Sequence, residues 1–182
     1  VSVDTFKGQV AARAIEAGAS IVNDISGCRF DPELLDVVAQ MKPGYVLMHS
    51  LDRPERMQEN PKYDDVLGEI MEFFAERLRV LTGAGLPESH IVLDPGIGFG
   101  KTPEHNIFLL KHIDRLTEFG LPLYVGLSNK SVWGALLQLP LEKRLHATVA
   151  ATAIMYSKGV FVHRVHDAAA AHQALSVAAG IV

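Results

Sequence analysis

The chain has 182 residues, 48% of them hydrophobic and 21% charged, with a mean hydropathy of +0.17. That is enough apolar material for a sizeable core, and it points to a single domain over residues 1–182. A net charge of −4 and a pI near 6.1, with no run of about five like charges, disfavour nucleic acid and membrane surfaces as partners.

The lone cysteine, Cys28, excludes an internal disulfide and fits a cytoplasmic protein. No apolar run reaches the roughly 18 residues of a membrane span. The chain opens directly on a strand-like stretch, with no signal peptide and no initiator Met. It reads as cut from a longer protein.

In chain order, one unit repeats: a short apolar run, a polar residue at its end, then a helical period. Residues 1–5 (VSVDT) form the first run, and Val10, Ala11, Ala14 and Ile15 the helix after it, stopped at Gly18. The second strand spans 20–26 (SIVNDIS). Asp31-Pro32 starts the next helix, continued by Leu34, Leu35, Val37 and Val38. The third strand, 45–50 (YVLMHS), leads into a long polar loop at 51–65, whose length makes it a candidate functional loop. A helix follows with Val66, Ile70, Phe73 or Phe74, Leu78 and Leu81 on one face, ending at Gly83-Ala84-Gly85.

The fourth strand is Ile91 to Asp94, with a helix from Pro103 to Glu118. The fifth is 122–128, followed by helical segments from Lys130 and Leu141 broken around Pro140. The sixth is 160–165, and an Ala-rich helix closes the chain.

Six βα units with continuously apolar strands imply a parallel sheet covered on both faces. A doubly wound sheet and a (β/α)₈ barrel lacking two units both fit that count. The barrel needs eight strands and typically ~250 residues. Polar groups decide between them, because all six strand ends carry one: Asp4, Asn23, His49, Asp94, Ser128 with Lys130, and Arg164 with His166. A doubly wound site draws on strands near its switch point, whereas a barrel gathers its site from nearly every strand. The expected fold is therefore α/β, a partial (β/α)₈ TIM barrel.

Residues 91–106 (IVLDPGIGFGKTPEHN) hold the strongest local signal. Three glycines at alternate positions follow the strand-end Asp94. A phosphate-cradling G-x-x-x-x-G-K-T loop would need glycine at 95, which is Pro95, and G-x-G-x-x-G is not present. One such glycine reads as a turn; three in five residues after a carboxylate read as a binding loop. Asp4, Asn23 and Asp94 are each explicable as caps or turn-formers. Together they suit a planar heterocycle with a donor edge, since a carboxylate accepts two parallel N–H groups from a guanidine-like system. Strand parity puts Asn23 and Asp24 on opposite faces, so only one faces the barrel interior.

Arg164 and His166, two apart, share a face of the last strand and with Lys130 suit an anion such as a phosphate. The bland alternative is an Arg satisfied by Asp167 and a core His. The scattered histidines offer no metal-ligand spacing, and neither a G-x-S-x-G elbow nor a cue for Cys28 as nucleophile supports hydrolase chemistry. Phe99, in its glycine-flanked loop, is less naturally a core residue than Met48 or Trp133.

Taken together, VSVDT, GASIVNDISG, VLMHS with P-x-x-MQ-x-x-P-x-YDDV, IVLDPGIGFGKTPEHN, VGLSNKS and HRVHD resemble dihydropteroate synthase in order and spacing. The resemblance implies a (β/α)₈ barrel represented by its third to eighth strands. It also implies a transferase of folate biosynthesis, which condenses 6-hydroxymethyl-7,8-dihydropterin pyrophosphate with p-aminobenzoate and releases pyrophosphate, with Mg²⁺ assisting.

The roles it implies fall on motif positions of this chain. Asp94 and Asn23, with Asp4, hold the pterin's amino-pyrimidine edge; Met48 and Gly126 line that pocket, and Lys130 contacts the ring. Arg164 stacks on the ring and reaches the pyrophosphate with His166. Phe99, Lys130 and Ser131 border the p-aminobenzoate pocket, where sulfonamides compete in this family. Asp4, Asp94, Lys130, Arg164 and His166 form the catalytic set.

No metal ligand is expected in this chain; the family's Mg²⁺ ligand belongs to units before its first strand. Partners are small molecules, and the family is commonly a homodimer through its late helices. Two departures are visible: Asn129 stands where the family usually has Arg, and the first two strands with their mobile loops are not in the sequence, so these residues alone are expected to be inactive. Alternative readings are a methyltetrahydrofolate-binding methyltransferase domain and a non-catalytic pterin-binding paralogue.

Overall fold

A computed structural model describes residues 1–182. The apolar runs become six strands: β1 (Ser2–Asp4), β2 (Ile21–Asp24), β3 (Gly44–Met48), β4 (Ile91–Asp94), β5 (Leu123–Val125) and β6 (Val160–His163). The helices are α1 (Gly8–Glu16), α2 (Glu33–Met41), α3 (Val66–Ala84), α4 (Pro103–Lys111), α5 (Ser131–Leu137), α6 (Leu145–Ser157) and α7 (Ala168–Ile181). None is long and apolar enough to cross a membrane.

The strands pair in parallel and in strict sequence order, β1 through β6. An unreversed order has no topological switch point, which removes the doubly wound alternative and leaves the partial barrel. The sheet curls far enough for Arg164, just past β6, to reach the Asp4 carboxylate at the end of β1.

Local chemistry explains the ends of the elements. Asp65 caps α3 by accepting the Leu67 N–H, and Gly85, at φ 109°, takes the left-handed conformation that stops it. Thr102 and His105 cap α4 reciprocally, with Pro103 leading it. Asp31 accepts N–H groups from both Gly8 (2.8 Å) and Glu33 (3.1 Å), which ties the starts of α1 and α2 together.

Two expected spans are shorter than the sequence implies. The helix expected over Pro103 to Glu118 gives way after Lys111 to a 3₁₀ stretch, Ile113–Phe119. The last strand ends at His163, so Arg164 and His166 lie in the loop beyond it and strand parity does not relate them. Asp167 also does not satisfy Arg164: it caps α7, accepting the Ala170 N–H at 2.9 Å.

Parity within the strands separates core from cavity. Val22, Tyr45, Leu47, Leu93, Leu123 and Val125 turn toward the helices and are buried against Ile70, Phe74 and Leu81 of α3 and Leu109 of α4, among others. Asp4, Asn23, Met48, Asp94 and Tyr124 take the other face and line a common cavity. Asn23 and Asp24 separate as expected. Asp24 is fully buried on the helix side, where it accepts from the Ser26 and Cys28 N–H groups and the Tyr45 hydroxyl.

A candidate active site at the strand ends

The cavity over the C-terminal ends of the strands has a volume of about 270 Å³. Ligand pockets start near ~300 Å³, so it suits a bicyclic ring better than a large ligand. Asp94 reaches it from the end of β4 and is only 5% exposed. One of its oxygens accepts the Gly96 N–H at 2.8 Å. Burial pushes the Asp94 carboxyl up to about 6, against the opposing pull of the Gly96 N–H, Lys130, Lys101 and Arg164.

Asn23 donates from Nδ2 to Asp4 Oδ1 at 2.8 Å, which fixes the orientation of its amide. Its own Oδ1 is buried and has no partner. A buried acceptor left open costs on the order of 1–3 kcal/mol, a cost that a ligand N–H would remove. Asp4 completes the row by accepting from Arg164. Both members of that ion pair are more than half exposed, so the pair itself adds little stability.

Lys130 enters from the start of α5. Its Nζ lies 4.5 Å from the centroid of the Phe99 ring, a cation–π contact, and burial lowers its pKa. Phe99 is carried by the glycine loop, where Gly96 and Gly98 have φ of 68° and 84°. A Cβ on Gly96 would fall on the His49 carbonyl oxygen, while one on Gly98 would come within 3.3 Å of the Lys130 side chain. Gly98→Ala is therefore expected to cost about 1–2 kcal/mol in chemical denaturation from its positive φ. It should also displace Lys130; an unaltered Lys130–Phe99 contact in a structure of the variant would contradict that.

Of the residues singled out in the sequence, Asp4, Asn23, Met48, Asp94, Phe99, Gly126, Lys130 and Arg164 line this one cavity. His166 does not. It lines an adjoining hollow of about 360 Å³ with Ser128 and shares Gly126, Lys130 and Arg164 with the first. Its Nδ1 is 2.8 Å from the Ser128 hydroxyl. Ser131 is exposed at the first turn of α5 and lines neither space.

Asn129 also lies outside both cavities. It sits at φ 58°, a conformation Asn tolerates well, with its N–H on Thr148 and its carbonyl accepting from Arg144. The residue standing where the resemblance leads one to expect Arg is therefore not part of either wall.

Several residues of the site were not singled out in the sequence, Tyr124 and Lys101 among them. Tyr124 faces the cavity from β5. Lys101, 3% exposed, threads its Nζ between His49 Nδ1 (3.1 Å), the Gly96 carbonyl (3.1 Å) and the Phe99 carbonyl (3.0 Å). Parity along β5 was a usable signal for Tyr124; a lysine closing back on its own loop gave none.

A cavity lined from the ends of successive parallel strands in a curled βα sheet is where a barrel fold places its binding sites. A family model described as pterin binding enzyme matches residues 1–166. The chain belongs to the pterin-binding enzyme family. Its relatives include a dihydropteroate synthase of Synechocystis sp., 42% identical over 98% of this chain and 62% of that protein.

Solved structures agree. A Yersinia pestis dihydropteroate synthase with a sulfonamide drug complex superposes with a TM-score of 0.95 at 37% identity, over 99% of this chain and 65% of that one. The Xanthomonas albilineans dihydropteroate synthase in complex with 7,8-dihydropteroate gives 0.91 at 40% identity, over 99% and 66%. The chain thus spans about 62% of the length of the Synechocystis relative.

Proposed function

We propose that the protein containing this chain condenses 6-hydroxymethyl-7,8-dihydropterin pyrophosphate with p-aminobenzoate, giving dihydropteroate and pyrophosphate. The observation that carries this is the pairing of a buried carboxylate, Asp94, with the open acceptor of Asn23 in one ring-sized cavity. Both are acceptors, and together they match the N–H-rich edge of an aminopyrimidine. Asp4 orients Asn23, Met48 and Gly126 supply wall, and Lys130 caps the ring beside Phe99.

Arg164, Lys130 and His166 surround the adjoining hollow and suit the pyrophosphate. As the bond to pyrophosphate breaks, its negative charge develops toward the Arg164 guanidinium and the Lys130 ammonium, while Asp4 and Asp94 offset positive charge left on the pterin carbon. The arylamine then attacks without a strong base. Phe99 and Lys130 border the place for p-aminobenzoate, and Ser131, exposed at the rim, would meet it only at its outer end.

Mg²⁺ would neutralise pyrophosphate charge when bound. The residues here do not fit a metal site of their own, since no three His, Cys, Asp or Glu side chains cluster. We further propose a single pterin-binding domain, a cytoplasmic setting, and a homodimer through the exposed apolar surface carrying Leu136, Leu137 and Ile154.

The test is to supply the whole protein with pterin pyrophosphate, p-aminobenzoate and Mg²⁺ and follow pyrophosphate release. Release dependent on the arylamine supports the proposal. Pterin binding without release would make it a non-catalytic pterin-binding protein instead.

A further inference from the structure

We infer that the Tyr124 hydroxyl is a ligand-facing hydrogen-bond donor, which grips an acceptor atom of the bound heterocycle. The inference rests on the pterin reading of the cavity.

Three observations converge on it. Leu123 and Val125 are buried in the core on either side of Tyr124, so the pleat of β5 turns the phenol to the opposite face, into the cavity. There it lines the same wall as Gly126, Lys130 and Arg164. The Tyr45 hydroxyl bonds Asp24 and that of Tyr63 the Gly100 carbonyl, whereas the hydroxyls of Tyr124 and Tyr156 have no protein partner, and of these two only Tyr124 lines the cavity. A half-buried phenol normally finds a partner. Burial, followed by the nearby Asp94, pushes its pKa up to about 12, so it keeps its proton at any working pH.

The cavity's polar groups are thereby sorted by kind. Asp94 and Asn23 Oδ1 can only accept from a ligand; the Lys130 ammonium can only donate, and the Tyr124 hydroxyl is able to donate as well. An amino-oxo heterocycle has this split, with N–H groups on one edge and a carbonyl oxygen and ring nitrogens on others. Tyr124 would therefore contribute to recognising the ring rather than the leaving group.

The experiment titrates the full protein and its Tyr124→Phe and Tyr124→Leu variants with 6-hydroxymethylpterin, and separately with inorganic pyrophosphate, by calorimetry. Tyr124→Phe keeps the aromatic wall and removes only the hydroxyl. It is expected to weaken pterin binding about fivefold to thirtyfold, the worth of one buried hydrogen bond, and to leave pyrophosphate binding unchanged. Tyr124→Leu should weaken pterin binding at least as much. Equal pterin affinity in wild type and Tyr124→Phe overturns the inference alone, as does a loss confined to pyrophosphate. A wild-type protein that binds no pterin overturns the reading of the site together with this inference.

Discussion

Asp94→Asn is expected to weaken pterin binding about a hundredfold while leaving the unliganded fold as stable as before, or more so. A carboxylate can accept two N–H groups of a guanidine-like edge. Asn offers one acceptor and turns an NH₂ toward a donor, so it loses a charge-assisted bond and adds a mismatch, together about 3 kcal/mol.

Stability moves the other way. Burial raises the Asp94 carboxyl from 3.8 to about 6 in the folded protein. Between those two values the folded state holds a proton that the unfolded state has released, so stability falls as pH rises through that window. At neutral pH the ionised group is carried at a cost of about 3 kcal/mol, from 1.36 kcal/mol per pK unit. The Asn side chain can still accept the Gly96 N–H, and its variant should lose that pH slope. Thermal melts from pH 4 to 7 and calorimetry with 6-hydroxymethylpterin read the two effects separately. An unchanged pterin affinity would remove Asp94 from its assigned role.

That opposition between stability and binding explains which parts of the molecule were legible in the sequence. Apolar runs, helical periods and glycine stops are local, and they marked all six strands and most helix starts. Strand parity is also local, and it separated Asn23 from Asp24 onto opposite faces without saying which of them faces the cavity. The same rule failed for Arg164 and His166 because it ran past the real end of β6 at His163.

Contacts between distant segments had no local signature. Arg164 finds Asp4, 160 residues away, only once the sheet has curled, whereas Asp167, three residues off, looked the nearer partner and proved to be a helix cap. Ser131 illustrates a different limit. The resemblance implies a place for it at the p-aminobenzoate pocket, and at the first turn of α5 it is exposed and lines neither cavity.

Lys101→Met is expected to release the glycine loop, and its effect should be clearest locally. An ammonium has three N–H donors, and the three nearest acceptors here are His49 Nδ1 and the carbonyls of Gly96 and Phe99, with the His49 carbonyl farther off at 3.5 Å. These bonds fix the loop that follows Asp94 and carries Phe99. Burial lowers the lysine to about 7, with Asp94 pulling back against that. Between about 7 and the ordinary 10.5, the unfolded chain binds a proton that the folded protein does not, so stability rises with pH across that window.

Below it the buried charge is carried at full cost, about 5 kcal/mol at 1.36 per unit. Met removes that cost but orphans three acceptors at roughly 1–3 kcal/mol each. The two are of similar size, so global stability near pH 7 should change little, and the distinguishing readouts lie elsewhere. Amide hydrogen exchange at Gly98 and Phe99 should accelerate at least tenfold, pterin binding should weaken about tenfold, and the rise in stability above pH 7 should disappear. Unaltered exchange in the loop, with the alkaline slope intact, would show that the lysine holds nothing in place.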